Sequence, residues 1–145
     1  MNKHPNIERA IKKQKAFTVP VLENKIHIAI ADYLRLVIKR PSRWHTVEVS
    51  NQANGRAAMF RQIALKRKGV ITGWTDIEIF WINPDCNGRG KPELKMIFLE
   101  VKAPDGKLTE RQQALHAELR EDGHLVYTVR SVEDVEVILK DLGVI

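Results

Sequence analysis

Residues 98–129 read FLEVKAPDGKLTERQQALHAELREDGHLVYTV, and this stretch decides the fold. Phe98 through Lys102 closes a strand that starts near Leu94. Pro104-Asp105-Gly106 is a turn. Thr109 is an N-cap for a helix running to about Asp122, with Gly123 just past its end. Leu125 through Val129 is a strand of β-branched and aromatic residues. A helix that links two strands favours a right-handed crossover, and therefore parallel pairing of those strands.

Working outward, Trp74 through Ile82 alternates Ile77, Ile79 and Trp81 on one face with Asp76, Glu78 and Phe80 on the other. It should pair antiparallel with residues 94–102 as a hairpin, its long polar tip running from Asn83 to Pro92. Ala57 through Lys68 reads as a basic amphipathic helix closed by Gly69, after a turn at Asn51–Gly55 and a short strand at Thr46–Val49. Val21, Leu22, Ile26, Ile30, Leu34 and Ile38 recur at helical spacing from Pro20 until Pro41 stops the run. Downstream, Ser131 caps a last helix that turns Val132, Val135, Ile138 and Leu139 to the core. The expected class is α/β, a central mixed sheet flanked by helices. Residues 1–19 are expected to form a loosely held basic arm, and residues 20–145 a single domain.

The chain has 145 residues, 43% hydrophobic and 29% charged, which suits one globular domain. No stretch approaches the length of apolar sequence that a membrane span needs. No apolar signal core follows the basic start, so export is not expected and a cytoplasmic setting fits. One cysteine, Cys86, excludes an internal disulfide and a Cys-based zinc site. The net charge of +6 favours polyanions, through phosphate neutralisation and counterion release. Its distribution says more than its size. Lys3, Arg9, Lys12, Lys13 and Lys15 form one cluster. Arg56, Arg61, Lys66, Arg67 and Lys68 form a second, the candidate DNA-binding set, and Arg89 and Lys91 a third. The plainer reading of all three is a solvated surface.

Glu100 and Lys102 are two apart on a strand and leave the same face, while Val101 points the other way into apolar packing. In an antiparallel hairpin the start of one strand lies beside the end of the other, which brings Asp76 towards Glu100. Two close carboxylates repel unless a cation lies between them. The His and Cys ligands expected of zinc are missing, and Mg²⁺ suits oxygen donors. Such an ion acidifies a bound water and neutralises charge on a phosphate. Lys102 would hold the attacking hydroxide or a phosphorane oxygen. The competing reading is three surface side chains with a weak ion pair.

The stretch from Gly69 to about Val129 resembles the VRR-NUC family, a branch of the PD-(D/E)XK nuclease superfamily. The residues that carry the likeness are Gly69, Gly73, Thr75-Asp76, Phe98 to Lys102, Gly106 to Thr109, Gln112, Leu115-His116, Gly123 and Tyr127. Asn54-Gly55-Arg56 looks like the turn before the family's second helix, and Glu23 stands where the family has an acidic residue. Thr75 departs from the proline in the superfamily's name. The resemblance implies a restriction-endonuclease-like core and a Mg²⁺- or Mn²⁺-dependent phosphodiesterase acting on DNA. It implies Asp76 and Glu100 as metal ligands, the Val101 carbonyl as a candidate third, and Glu23 as a further carboxylate, directly or through water. It makes Lys102 the catalytic lysine and Gln112 an orienting group for phosphate or lysine. Small stand-alone members resemble Holliday-junction resolvases, tend to form homodimers and are common in phage genomes. That implies branched DNA as substrate, a role in DNA repair, and the cytoplasm of a bacterial or phage-infected host cell. His27 shares a helix face with Glu23, whereas His116 reads as packing beside Leu115. Trp44, Trp74 and Trp81 read as core or interface. The alternative function is a non-catalytic DNA-binding or assembly module on the same fold.

Overall fold

The computed structural model describes residues 5–47, 56–83 and 92–145. Among these, β1 (Arg43–Thr46), β2 (Ile77–Asn83), β3 (Glu93–Val101) and β4 (Leu125–Val129) form one sheet in the order β1-β2-β3-β4. The β1–β2 and β2–β3 pairs are antiparallel and β3–β4 is parallel. The sheet is thus mixed, as the strand–helix–strand reading required. Four helices accompany it: α1 (Pro5–Val37), α2 (Arg56–Arg67), α3 (Glu110–Glu121) and α4 (Val132–Asp141). The hairpin tip at 84–91, with Arg89 and Lys91, lies outside the described residues, as does the turn at 51–55.

The two faces of the sheet bury different things. Ile77, Ile79 and Trp81 of β2 meet Ile97, Leu99 and Val101 of β3 on the face covered by α1 and α4. Ile30 and Leu34 from α1, with Val135 and Leu139 from α4, are completely buried there. Burying each such side chain is worth about 1.5–3 kcal/mol. The opposite face carries a smaller cluster, Phe98, Leu119 and Val126, with Trp74, Met96 and Leu115 packed around it.

Caps fix the helices that follow the strands. The Thr109 hydroxyl accepts from the Gln112 backbone, and the Gln112 side chain accepts from the Thr109 backbone. This reciprocal box closes the start of α3 and is worth on the order of 1 kcal/mol. Gly123, at φ +86°, ends α3 in the left-handed region. Ser131 caps α4 by accepting from Asp134 N.

Three expectations need correction. Helix α1 begins at Pro5, so the backbone after the first four residues is helical. Ala10, Lys12, Lys13 and Gln14 are strong helix formers, and that propensity needs no apolar period. Pro20 lies inside the helix instead of opening it. Val21 and Leu22 are exposed, and Val21 lines an open cleft instead of the core. Strand β1 runs over 43–46, whereas the reading put it at 46–49; residues 48 and 49 lie outside the described residues. Trp44 pairs with Ile79 and packs on the core, and this tertiary contact sets a register that the local pattern leaves open.

Candidate active site

The site lies where β2 begins and β3 ends. Asp76 precedes β2 in a bend, one residue short of the strand that was expected to contain it. Gly73, at φ +83°, turns the chain just before it, and a Cβ there would come within 3.4 Å of Arg111. Arg111 Nε donates to Thr72 O at 2.8 Å, tying this turn to α3. The backbone of Asp76 is gripped on both sides, donating to Leu99 O at 3.0 Å and accepting from Val47 N at 2.8 Å. Its side chain accepts from Val101 N at 2.7 Å. The acid is therefore held at the end of β3 by main-chain bonds from both neighbouring strands.

Glu100 is 1% exposed, almost at the C-terminal end of β3. Two donors converge on its Oε1. Lys102 Nζ lies 2.9 Å away, and Gln112 Nε2 donates at 2.6 Å. The Gln112 amide does two jobs: its oxygen caps α3 and its nitrogen holds the carboxylate. The other oxygen, Oε2, is buried with no hydrogen-bond partner. Burial, then the charge of Asp76, push the Glu100 carboxyl up to about 7, against the opposing pull of Lys102. Burial also raises Asp76, which the Val101 N–H partly offsets. The charge of Asp76 raises Glu100 and that of Glu23 raises Asp76, so the acids crowd into a poorly hydrated place.

Glu23 reaches the site from α1. Its Oε1 accepts from Ala103 N at 3.4 Å, a long hydrogen bond, in the turn that follows Lys102. Gly106 permits this approach, since a Cβ there would sit 3.1 Å from that same oxygen. Glu23, Asn24 and His27 line an open cleft of about 450 Å³ together with Pro20, Val21, Asp76 and Val101. His27 Nε2 is 3.2 Å from Thr46 Oγ1 on β1.

Could these residues hold a divalent ion? Among the described residues, no three His, Cys, Asp or Glu side chains are already gathered around one point. Two neighbouring carboxylates, one with an unpartnered buried oxygen, are a donor set of another kind. It suits a hard cation that takes one or two carboxylates and keeps several waters, as Mg²⁺ does. It suits zinc less well, because zinc sites are built mainly on Cys and His donors. The residues present therefore fit Mg²⁺ or Mn²⁺.

The structure thus brings Asp76, Glu100, Val101, Lys102 and Gln112 together, with Glu23 at the margin. Arg56, Arg61, Lys66, Arg67 and Lys68 are exposed on or just after α2, and none of them lines the cleft. Helix α2 also exposes Met59, Phe60 and Ile63.

Three more residues belong to the neighbourhood: Arg130, which the sequence did not mark, and Thr75 and His116, which were among the residues of the family likeness but were given no role in the site. Arg130 Nη1 donates to Ala103 O and, at 3.3 Å, to Pro104 O, clasping the turn behind Lys102. Thr75 is fully buried with an unpartnered hydroxyl. His116 is also fully buried, and its Nε2 lies 3.8 Å from Glu100 Oε2. Burial lowers the pKa of this ring, with Arg120 and Lys102 adding to the effect. The spacing of Gln112 and His116, one helical turn apart, was the only local signal for the last of these.

A family model described as the VRR-NUC domain matches residues 23–133, which span the first carboxylate of the cleft to the second residue of α4. No curated protein and no solved structure matches the chain.

Proposed function

The chain belongs to the VRR-NUC family of PD-(D/E)XK-type nuclease domains, and on that premise we propose that it is a divalent-metal-dependent endonuclease that hydrolyses phosphodiester bonds in DNA. One observation carries the metal-dependent part of this reading. Glu100 is a buried carboxylate beside Asp76, with one oxygen engaged by Lys102 and Gln112 and the other lacking any partner. A buried acid beside a second acid is costly without a cation. Its retention makes sense as a ligand.

In this reading Asp76 and Glu100 hold the ion, with the Val101 carbonyl and Glu23 as further oxygen donors. The chemistry a bound Mg²⁺ or Mn²⁺ supplies is acidification of water and neutralisation of phosphate charge. The protein's own groups do the rest. The Val101 N–H fixes the Asp76 carboxylate, and Gln112 holds Glu100 from the capped first turn of α3. Lys102, 12% exposed at the side chain, stands between the buried acid and the solvent. Its ammonium is suited to donate to a phosphate oxygen as negative charge develops there. The exposed cations at 56, 61 and 66–68 supply a sequence-independent attraction for the phosphate backbone. Branched DNA is the substrate favoured by family likeness, and a homodimer would present two such sites to two strands. No helix among the described residues is long and apolar enough to cross a membrane.

The test is a cleavage panel of single-stranded, duplex, flap and four-way DNA with Mg²⁺, Mn²⁺, Ca²⁺ or EDTA, using Asp76→Ala as the blank. Cutting is expected with Mg²⁺ or Mn²⁺ alone. Equal cutting in EDTA would end the metal-dependent reading. Binding without cutting under every condition would favour a DNA-binding module on this fold.

A further inference from the structure

Glu100 has two oxygens, and α3 faces both. Gln112 and His116 are four residues apart, so they share one face of the helix, a turn apart. Gln112 and Lys102 occupy Oε1. Oε2 has no hydrogen bond, and His116 Nε2 lies 3.8 Å from it. Both ring nitrogens of His116 also lack partners, and the ring is completely buried. Two buried orphans of complementary type thus face one another.

Buried polar groups are almost always paired, and an isolated unpaired one is unfavourable. The surroundings make the imidazole conspicuous. Phe98, Leu119 and Val126 form the apolar cluster on this side of the sheet, and Leu115 precedes His116 on the helix. Packing alone would be served as well by an aliphatic residue. The gap to hydrogen-bond range is roughly an ångström, within the reach of a small shift of the ring or carboxylate.

We propose that His116 is a positioning residue, donating from Nε2–H to Glu100 Oε2 and so fixing the plane of the carboxylate from behind. Gln112 and His116 then act as a two-pronged clamp from a single helix, one prong for each oxygen, and Oε2, accepting this one bond, keeps a second lone pair for the ion. His116 touches neither substrate nor ion; it sets the direction in which Glu100 presents its lone pairs. The contact itself stands apart from the nuclease reading, and its consequence for metal affinity rests on that reading.

Two measurements test this. The first uses the intact, metal-free protein with ¹⁵N-labelled histidine. The His116 ring is expected as the Nε2–H tautomer, its proton slow to exchange and its resonance moved by Glu100→Gln. A Nδ1–H tautomer, or a resonance indifferent to Glu100→Gln, would overturn the contact. The second titrates Mn²⁺ and follows free Mn²⁺ by electron paramagnetic resonance. His116→Leu, which keeps the volume roughly and removes the donor, should weaken Mn²⁺ binding about 10–100-fold, the usual effect of losing a partner behind a metal ligand. His116→Gln, which restores an N–H, should recover most of that loss, with the KM for DNA unchanged in both. Wild-type affinity in His116→Leu, or equal loss in both variants, would reduce His116 to packing. If wild type and Asp76→Ala bind Mn²⁺ equally poorly, the metal reading fails, and the ring spectrum still decides the contact.

Discussion

The face of the sheet under α1 and α4 and the face under α3 are built to opposite rules. The first buries Ile30, Leu34, Ile77, Ile79, Ile97, Leu99, Val129, Val135 and Leu139 with no exposure at all. The second buries a small apolar cluster and, beside it, Glu100 and His116. One strand serves both: in β3, Ile97, Leu99 and Val101 face one way, and Phe98 and Glu100 the other. The difference teaches where this domain places its stability and where it gives some up. A large dry core on one face permits a buried, repelled carboxylate on the other. That is the stability–function trade-off expected of a site whose groups must be ready for charge they do not yet hold.

The comparison breaks most readily at Leu139. Leu139→Ala should cost about 2–5 kcal/mol of stability through lost burial and a cavity. It should lower the denaturation midpoint, yet leave Mn²⁺ affinity unchanged well below that midpoint. If metal affinity fell with it, the two faces would not be independent. Lys102→Ala should strike the chemistry instead. It should keep DNA binding but lose roughly 10²–10³ in cleavage rate, the scale of one lost transition-state donor. Wild-type cleavage by this variant would remove the lysine from the chemistry.

Glu100→Gln sharpens the contrast through its sign. The folded carboxyl sits at about 7, above its ordinary value of 4.5, so the native state holds its proton over a window where the unfolded chain has lost it. Stability of the metal-free protein from this group therefore falls as pH rises from about 4.5 to 7. Glu100→Gln should raise the unfolding free energy at pH 8 by roughly 2–4 kcal/mol, the equivalent of the shift, and by far less at pH 5. An equal gain at both pH values would show that the buried charge is not the cause. The smallest effect concerns α2, remote from both faces in its packing. Arg61→Ala with Lys66→Ala should weaken binding to all DNA sequences alike and reduce the salt slope by about 2. An unchanged slope would take α2 out of the DNA footprint.

Much of this was legible beforehand, and the reasons are local. The alternation of Ile77, Ile79 and Trp81, the Thr109 cap with Gln112 three residues on, and the compact run Leu125–Val129 each determine an element within a few residues of chain. Glu100 lies in β3 and Lys102 one residue past its end, where its N–H still bonds Val129 O, so their common face followed from a period of two. Asp76 was harder, because a bend, two main-chain bonds and the Val101 N–H to its carboxylate, not the strand's own period, hold it in place.

What the sequence by itself determined is the order of elements, the mixed sheet and the pairing of Glu100 with Lys102, because strand alternation, caps and crossover handedness act over short range. Only the tertiary structure decided that Glu23 reaches Ala103, that β1 takes its register from Trp44 on Ile79, and that His116 stands behind Glu100. Those contacts join residues whose nearness depends on how helices lie on a sheet, and no local periodicity encodes that distance.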